Sequence, residues 1–140
     1  MQKFSILVAC FLIGVGLDVL AQKPEYSTYL DAQFQETVKR HATFVRELTH
    51  KHDNIYSAKV IELENGKVKM EGAFNVVPNK VTEHGIFTFY YPNGAVESRG
   101  EYDMGLKIGT WKRFAQDGTE RPDRYYDPSS AQVIRDKTGR

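Results

Sequence analysis

The chain has 140 residues, and its 19 lysines and arginines nearly balance its 18 aspartates and glutamates, which leaves a formal net charge of +1. A charge this close to zero gives no electrostatic basis for binding nucleic acid or for a polybasic contact with membranes. Cys10, the only cysteine, lies in an apolar N-terminal run, so the rest of the chain can form no disulfide and has no cysteine nucleophile. A chain of this length predicts one domain.

Residues 1–21 predict a cleavable secretory signal peptide, with basic Lys3, an apolar run from Phe4 to Leu17, and cleavage after the small residue Ala21. The apolar run is shorter than the roughly 20 residues that a membrane-spanning helix needs. We therefore expect export to the periplasm or the extracellular space and no stable membrane span after cleavage. Two minor alternatives are an uncleaved signal anchor and a lipid anchor on Cys10.

The next segment, residues 22–54, is predicted to be helical. Its apolar residues recur between Ser27 and His52 at intervals of four, four, four, three and three, which is the period of one helix face. These residues are Leu30, Phe34, Val38, Ala42, Val45 and Leu48. Ser27 or Thr28 can cap the start of such a helix, and Asp53-Asn54 supplies a polar stop. The pattern predicts one amphipathic helix.

Residues 55–127 are predicted to form β-hairpins that repeat. Three turn dipeptides, Asn65-Gly66, Asn93-Gly94 and Asp117-Gly118, tolerate the positive φ angles of hairpin tips and lie between β-rich runs. A shift of 24 residues superposes Gly85 on Gly109 and Phe87 on Trp111, and a shift of 28 residues superposes the first turn on the second. The predicted strands lie near 56–63, 67–75, 85–91, 95–102, 108–114 and 119–126.

Two blocks carry the repeat most clearly: Gly85 to Gly94 (GIFTFYYPNG) and Tyr102 to Gly118 (YDMGLKIGTWKRFAQDG). This pattern resembles the MORN-like repeat, in particular the bacterial variant found in exported proteins and in proteins labelled YwqK-type antitoxins. The resemblance spans about 56–127. Arg124 occupies the position that is glycine in the preceding repeat, where it is Gly100. The resemblance implies successive antiparallel hairpins in an elongated sheet, and an interaction module without a reaction of its own.

The predicted fold class is α+β, with the N-terminal amphipathic helix packed on an antiparallel β-meander of about six strands. A sheet with aromatic residues on both faces needs a cover, and the helix is the only amphipathic element that can supply one. We expect the helix to cover one face and the other face to serve as a contact surface. The candidate contact residues are Phe87, Tyr90, Trp111 and Phe114. The remaining segment, 128–140, is predicted to be a polar tail with too few apolar residues to fold alone.

By strict alternation Phe87 and Trp111 share one face, and Tyr90 and Phe114 lie on the other unless a bulge intervenes. The basic residues of the strands alternate with acidic ones, which predicts a solvated sheet surface. These basic residues are Lys59, Lys67, Lys69, Arg99, Lys107, Lys112 and Arg113. Contact with lipid headgroups is a secondary interpretation of this pattern.

No sequence motif indicates catalysis: there is no nucleophile elbow, phosphate-binding loop or paired-carboxylate signature. On the predicted helix His50 and His52 would point about 200° apart and could not share a metal ion. We therefore expect no metal, no cofactor and no catalytic residue, and an enzyme with an unrecognised site stays open as an alternative.

The expected function is that of an exported, non-enzymatic interaction module that binds a protein or an envelope component. The alternative is an antitoxin or immunity-type protein that neutralises a partner toxin.

Overall fold

The structure, a computed structural model, describes residues 23–138, so the predicted signal peptide lies outside the described residues. The described part contains nine strands, a short 3-10 turn (Lys39–His41) and one α-helix, α1 (Pro128–Thr138). The strands are β1 (Tyr26–Leu30), β2 (Phe44–His52), β3 (Ile55–Glu62), β4 (Val68–Val77), β5 (Lys80–Glu83), β6 (Gly85–Tyr90), β7 (Val96–Asp103), β8 (Leu106–Phe114) and β9 (Glu120–Tyr126). They form one antiparallel sheet in the order β1-β2-β3-β4-β6-β7-β8-β9. β5 lies outside this order and pairs with one part of β4, while another part of β4 pairs with β6.

The fold-class prediction of an N-terminal helix on about six strands is wrong. Residues 26–52 form β1 and β2, joined by a loop that carries the 3-10 turn. Leu30 and Leu48 of the expected helical stripe are buried, but they are buried on strands. Phe34 and Val38 of the same stripe lie in the loop and are 37% and 53% exposed.

A charged residue on the core side of β2 explains this error. Phe44 and Leu48 are four residues apart, a spacing that fits one helix face and equally one strand face, since alternate strand residues share a face. Arg46 lies between them and hides the alternation, because it is charged and yet only 8% exposed. Its guanidinium donates to Glu36 Oε1 at 2.7 Å and lies 5.5 Å from the Phe74 ring. Sheet pairing of β2 thus overrides the helical period.

The six strands predicted between 56 and 126 are all present, and each predicted turn dipeptide lies at a hairpin tip. The turn glycines Gly66, Gly94 and Gly118 have φ angles of 70°, 85° and 88°. The superposed glycines Gly85 and Gly109 also share positive φ angles, 84° and 63°. The hairpin arrangement and its repeat period are therefore confirmed for this part of the chain.

The buried core lies on one face of the sheet, which we call the core face. Strand register places its residues opposite one another, for example Leu48 opposite Ala58 and Val60 opposite Met70. Val60 and Phe87 are each 0% exposed. Partly buried side chains, among them Tyr56, Phe89 and Tyr102, pack against this cluster and complete its cover.

The opposite face, which we call the polar face, carries ion pairs between neighbouring strands. Lys59 Nζ lies 3.5 Å from Glu71 Oε1, and Lys112 Nζ lies 2.8 Å from Asp123 Oδ2. The hydrogen bond and the charge of Asp123 raise the pKa of Lys112. Alternating charges on this face were predicted, and exposed pairs of this kind add little to stability because solvent screens them.

The segment predicted as a polar tail forms α1 and packs against the sheet. Asp127 caps the helix, because its Oδ1 accepts the Ser129 N–H at 3.0 Å, and the hydrogen bonds from Ser129 lower the pKa of Asp127. Ala131 is 4% exposed, and Arg135 donates to the carboxylate of Asp103 on β7. Pro128 after a capping aspartate is a helix-start signal that the sequence did contain.

Candidate binding site

Two of the four predicted contact residues, Phe87 and Trp111, belong to the core, where they are 0% and 2% exposed. Each ring lies over a glycine of the neighbouring strand. A Cβ added to Gly72 would come within 2.6 Å of the Phe87 ring, and one added to Gly100 within 2.3 Å of the Trp111 ring. The repeated glycines therefore make room for the repeated aromatic rings, and this pair cannot form an exposed contact surface.

The other two predicted contact residues, Tyr90 and Phe114, are half-buried and lie in different places. The Tyr90 hydroxyl donates to Glu71 Oε2 at 3.0 Å on the polar face. Burial, first, and that hydrogen bond raise the pKa of Tyr90. Phe114 lines a cavity at the C-terminal end of the core face. The structure therefore does not bring the four residues together.

An aromatic ladder runs along the core face toward β9. Its rings meet edge to face, with neighbouring ring centroids 5.0 to 6.3 Å apart. The members in order are Phe74, Phe87, Tyr102, Trp111 and Tyr126. Such pairs contribute about 0.5–1.5 kcal/mol each beyond their burial. Burial and the nearby carboxylate of Glu83 raise the pKa of Tyr102 to about 12.

Lys107 lies at the C-terminal end of this ladder. Its Nζ is 4.1 Å from the Trp111 ring centroid and within 6 Å of the centroids of Phe89, Tyr102 and Tyr126. Within residues 23–138 no carboxylate lies within 4 Å of this ammonium group. Cation–π attraction to the ring faces therefore holds a positive charge at the point where the ladder ends.

Beside Lys107 is a cavity of about 200 Å³, which we call the arginine cavity. Strands β8 and β9 supply most of its walls, and the start of β7 with the residue that follows β6 supplies the rest. Its lining residues are Tyr91, Glu97, Ser98, Lys107, Trp111, Arg113, Phe114, Arg121, Arg124 and Tyr126. The Tyr91 hydroxyl donates to the Phe114 carbonyl at 2.9 Å, which ties two of the walls together.

Three arginines of the cavity lack an ion-pair partner among residues 23–138, although the charge of Arg121 helps to lower the pKa of Asp117. Arg113 is the register partner of Arg121, and Arg124 is the register partner of Trp111. Within the described residues none of the three guanidinium groups takes part in an ion pair or a side-chain hydrogen bond. Like charges directly opposite one another weaken a sheet, so the Arg113 and Arg121 pair is electrostatically unfavourable in the isolated chain.

Two acidic groups near the cavity are already engaged, whereas Glu120, the register partner of Phe114, forms no ion pair among residues 23–138. Glu97, the only carboxylate that lines it, has its Oε2 3.2 Å from Lys69 Nζ. In the turn before β9, Asp117 Oδ1 accepts the Thr119 N–H at 2.9 Å, which is the main cause of the lowered pKa of Asp117. The cavity therefore has a surplus of positive charge.

Sequence reasoning assigned Arg113 and Lys107 to a solvated surface, noted Arg124 only as a departure from the repeat, and did not consider Arg121. The available signal was Arg124, which stands where the repeat predicts glycine. Only the structure explains why this position can be an arginine. The glycine is needed only where the aromatic ring of a following repeat lies over it, as at Gly100. No repeat follows β9 in the described residues, so an arginine is accommodated there.

The histidines lie on strands and a turn, so the helical argument against a shared metal ion does not apply. His50 Nε2 is 3.0 Å from the Asp53 carbonyl, and His52 Nδ1 is 3.3 Å from Asp53 Oδ2. A register shift separates the two histidines on β2. Among residues 23–138 no group of three or more histidine, cysteine, aspartate or glutamate side chains is arranged to hold a metal ion.

Comparison of the chain with protein-family models, with curated proteins and with solved structures gives no match in any of the three. The likeness to MORN-like repeats therefore rests on the sequence pattern alone. In the part of the chain that the structure describes, no helix is long and apolar enough to cross a membrane.

Proposed function

We propose that this chain is an exported, non-enzymatic binding module of the MORN-like type, and that it binds a protein or an envelope component through the arginine cavity. The supporting observation is the set of three guanidinium groups, on Arg113, Arg121 and Arg124, that lack carboxylate partners within the described residues. A charge cluster that weakens the isolated sheet is accounted for when a partner supplies the compensating charge.

The fold supports the same proposal. Phe87 and Trp111 are in the core, so this pair of the four candidate contact residues stabilises the sheet. The cavity lies at the last hairpin, and its aromatic walls are fixed by the ladder and by the Tyr91 hydrogen bond. Side chains held in this way lose little conformational freedom on binding, which favours affinity.

The test is partner capture with the chain that begins at Gln22. Tagged protein is incubated with envelope extract, and the retained proteins and lipids are identified by mass spectrometry. The double substitution Arg113→Gln and Arg121→Gln is expected to abolish retention. Arg99→Gln, which removes one positive charge from an exposed position on β7, is the matched control and should retain the partner. Equal retention by both variants would exclude the cavity as the contact site.

Two further outcomes sharpen the proposal. Mass spectrometry of the exported protein should find Gln22 at the N-terminus, and a chain that still begins at Met1 would contradict signal cleavage. A single stoichiometric partner that is toxic when expressed alone would favour the antitoxin alternative over an envelope component.

A further inference from the structure

We infer that the arginine cavity recognises a phosphate group carrying two negative charges, either free or as a monoester. This inference rests on the proposed binding role of the cavity and names the chemistry of its ligand. It follows from the number of positive charges, from the geometry of guanidinium groups and from the walls that surround them.

Charge balance selects a dianion over a single carboxylate. Four cationic side chains line the cavity, and the one lining carboxylate, Glu97, is already paired with Lys69 at 3.2 Å. A carboxylate of a ligand would neutralise one positive charge and leave Arg113 facing Arg121. A phosphate monoester carries about −1.5 to −2 charges at pH 7 and neutralises both.

Hydrogen-bond geometry also favours a phosphate group over a carboxylate. Each guanidinium group is planar and presents five N–H donors in a fork that suits two oxygens at once. Arg113 and Arg121 are directly opposite across β8 and β9, and Arg124 lines the same cavity. Donors that approach from several directions fit the three terminal oxygens of a phosphate monoester better than the two coplanar oxygens of a carboxylate.

The surroundings of the charges also suit an oxyanion. Lys107 adds a fourth positive charge, and its position over the Trp111 ring, 4.1 Å from the centroid, keeps it at the inner wall of the cavity. The buried Trp111 ring and half-buried Phe114 exclude solvent from the inner wall, which strengthens the attraction between opposite charges there, whereas Arg121 and Arg124 stay exposed at the mouth of the cavity. The arginines stay charged throughout the range in which proteins are handled, so the site needs no protonation event.

The experiment is isothermal titration calorimetry of the chain that begins at Gln22, at constant ionic strength, with inorganic phosphate, glycerol 3-phosphate and acetate. We expect saturable binding of both phosphates and none of acetate at the same concentrations. Trp111 is the only tryptophan of the chain, so a change in its fluorescence during the same titration assigns the binding to this cavity.

Arg113→Gln and Arg121→Gln are each expected to weaken phosphate binding by about tenfold or more, because each removes a charge-assisted hydrogen bond. Arg99→Gln should leave the affinity within about twofold of the wild type, since small surface changes away from a site act weakly. Absence of saturable heat with either phosphate, or equal losses in Arg113→Gln and Arg99→Gln, would overturn the inference.

Vesicles distinguish a soluble ligand from a lipid headgroup. Phosphatidylcholine vesicles with and without phosphatidic acid are sedimented with the protein. Selective sedimentation with phosphatidic acid identifies a lipid monoester as the ligand, and binding of glycerol 3-phosphate without sedimentation identifies a soluble one.

The failures of the two proposals are distinguishable. If partner capture depends on Arg113 and Arg121 while neither phosphate binds, the binding role stands and the phosphate inference is wrong. If phosphate binds and no partner is captured, the anion site stands without a macromolecular contact.

Discussion

The interior of the aromatic ladder and its C-terminal end have the same strand arrangement but differ at one repeat position. In the interior, Phe87 lies over Gly72 and Trp111 lies over Gly100, and the rings are almost completely buried. At the end, the equivalent position is Arg124, and among residues 23–138 no further strand pairs with β9 to place a ring over it. The glycine is thus required by the next repeat, and the last repeat is free to carry a charged, accessible residue.

The largest expected effect comes from breaking the interior. Trp111→Ala removes a ring that is 2% exposed and makes edge-to-face contacts with two neighbours, so we expect a loss of about 3–5 kcal/mol in the free energy of unfolding. Phe114→Ala, at the half-buried cavity wall, should cost no more than about 2 kcal/mol. Denaturant titration measures both, and equal losses would show that the cavity wall is as much a part of the core as the ladder.

The next effect tests the repeat position itself. Gly100→Ala places a Cβ about 2.3 Å from the Trp111 ring, which forces the indole to move, and overpacking of this kind costs about 2–3 kcal/mol. Arg124→Ala, at the equivalent position of the last repeat, should change stability by no more than about 0.5 kcal/mol. A small effect at Gly100 would mean that the ladder yields easily and that the glycine is not required there.

A smaller effect is the pH dependence of stability that the buried hydroxyl of Tyr102, a member of the aromatic ladder, produces. The Tyr102 hydroxyl titrates near pH 10 in the unfolded chain and at about 12 in the folded one, so its contribution to stability is complete below pH 10 and is lost as the pH rises toward 12. Tyr102→Phe should therefore lose less stability than the wild type between pH 10 and pH 12. The comparison at pH 8 is the control, because the hydroxyl is protonated there in both states. Parallel curves from pH 8 to pH 12 would contradict the burial of this hydroxyl.

The smallest expected effect is an increase in stability, whereas the substitutions of Trp111, Phe114 and Gly100 are expected to reduce it. Arg113→Gln relieves repulsion between two register partners, so we expect the variant to be more stable than the wild type by about 0.2–1 kcal/mol at low salt. Added salt should reduce the difference, because it screens exposed charges. The melting temperature measured at two salt concentrations provides the test. A destabilised variant would show that Arg113 makes favourable contacts within the chain, and its charge would then already be offset without a ligand.

The sequence alone determined the hairpin half of the molecule. Glycine-containing turns and a period of 24 to 28 residues are local signals, because φ preference and alternation act between near neighbours. The structure accordingly contains β3, β4, β6, β7, β8 and β9 close to their predicted positions.

Only the tertiary structure decided the rest. Buried Arg46 obscures the strand period of β2, and its pairing with Glu36 joins residues that no local pattern connects. The arginine cavity depends on strand register, which sets Arg113 opposite Arg121, and on the neighbouring strand that places Trp111 beside Arg124. Register is a property of paired strands and is absent from either strand alone, so the cavity became visible only when the sheet was assembled.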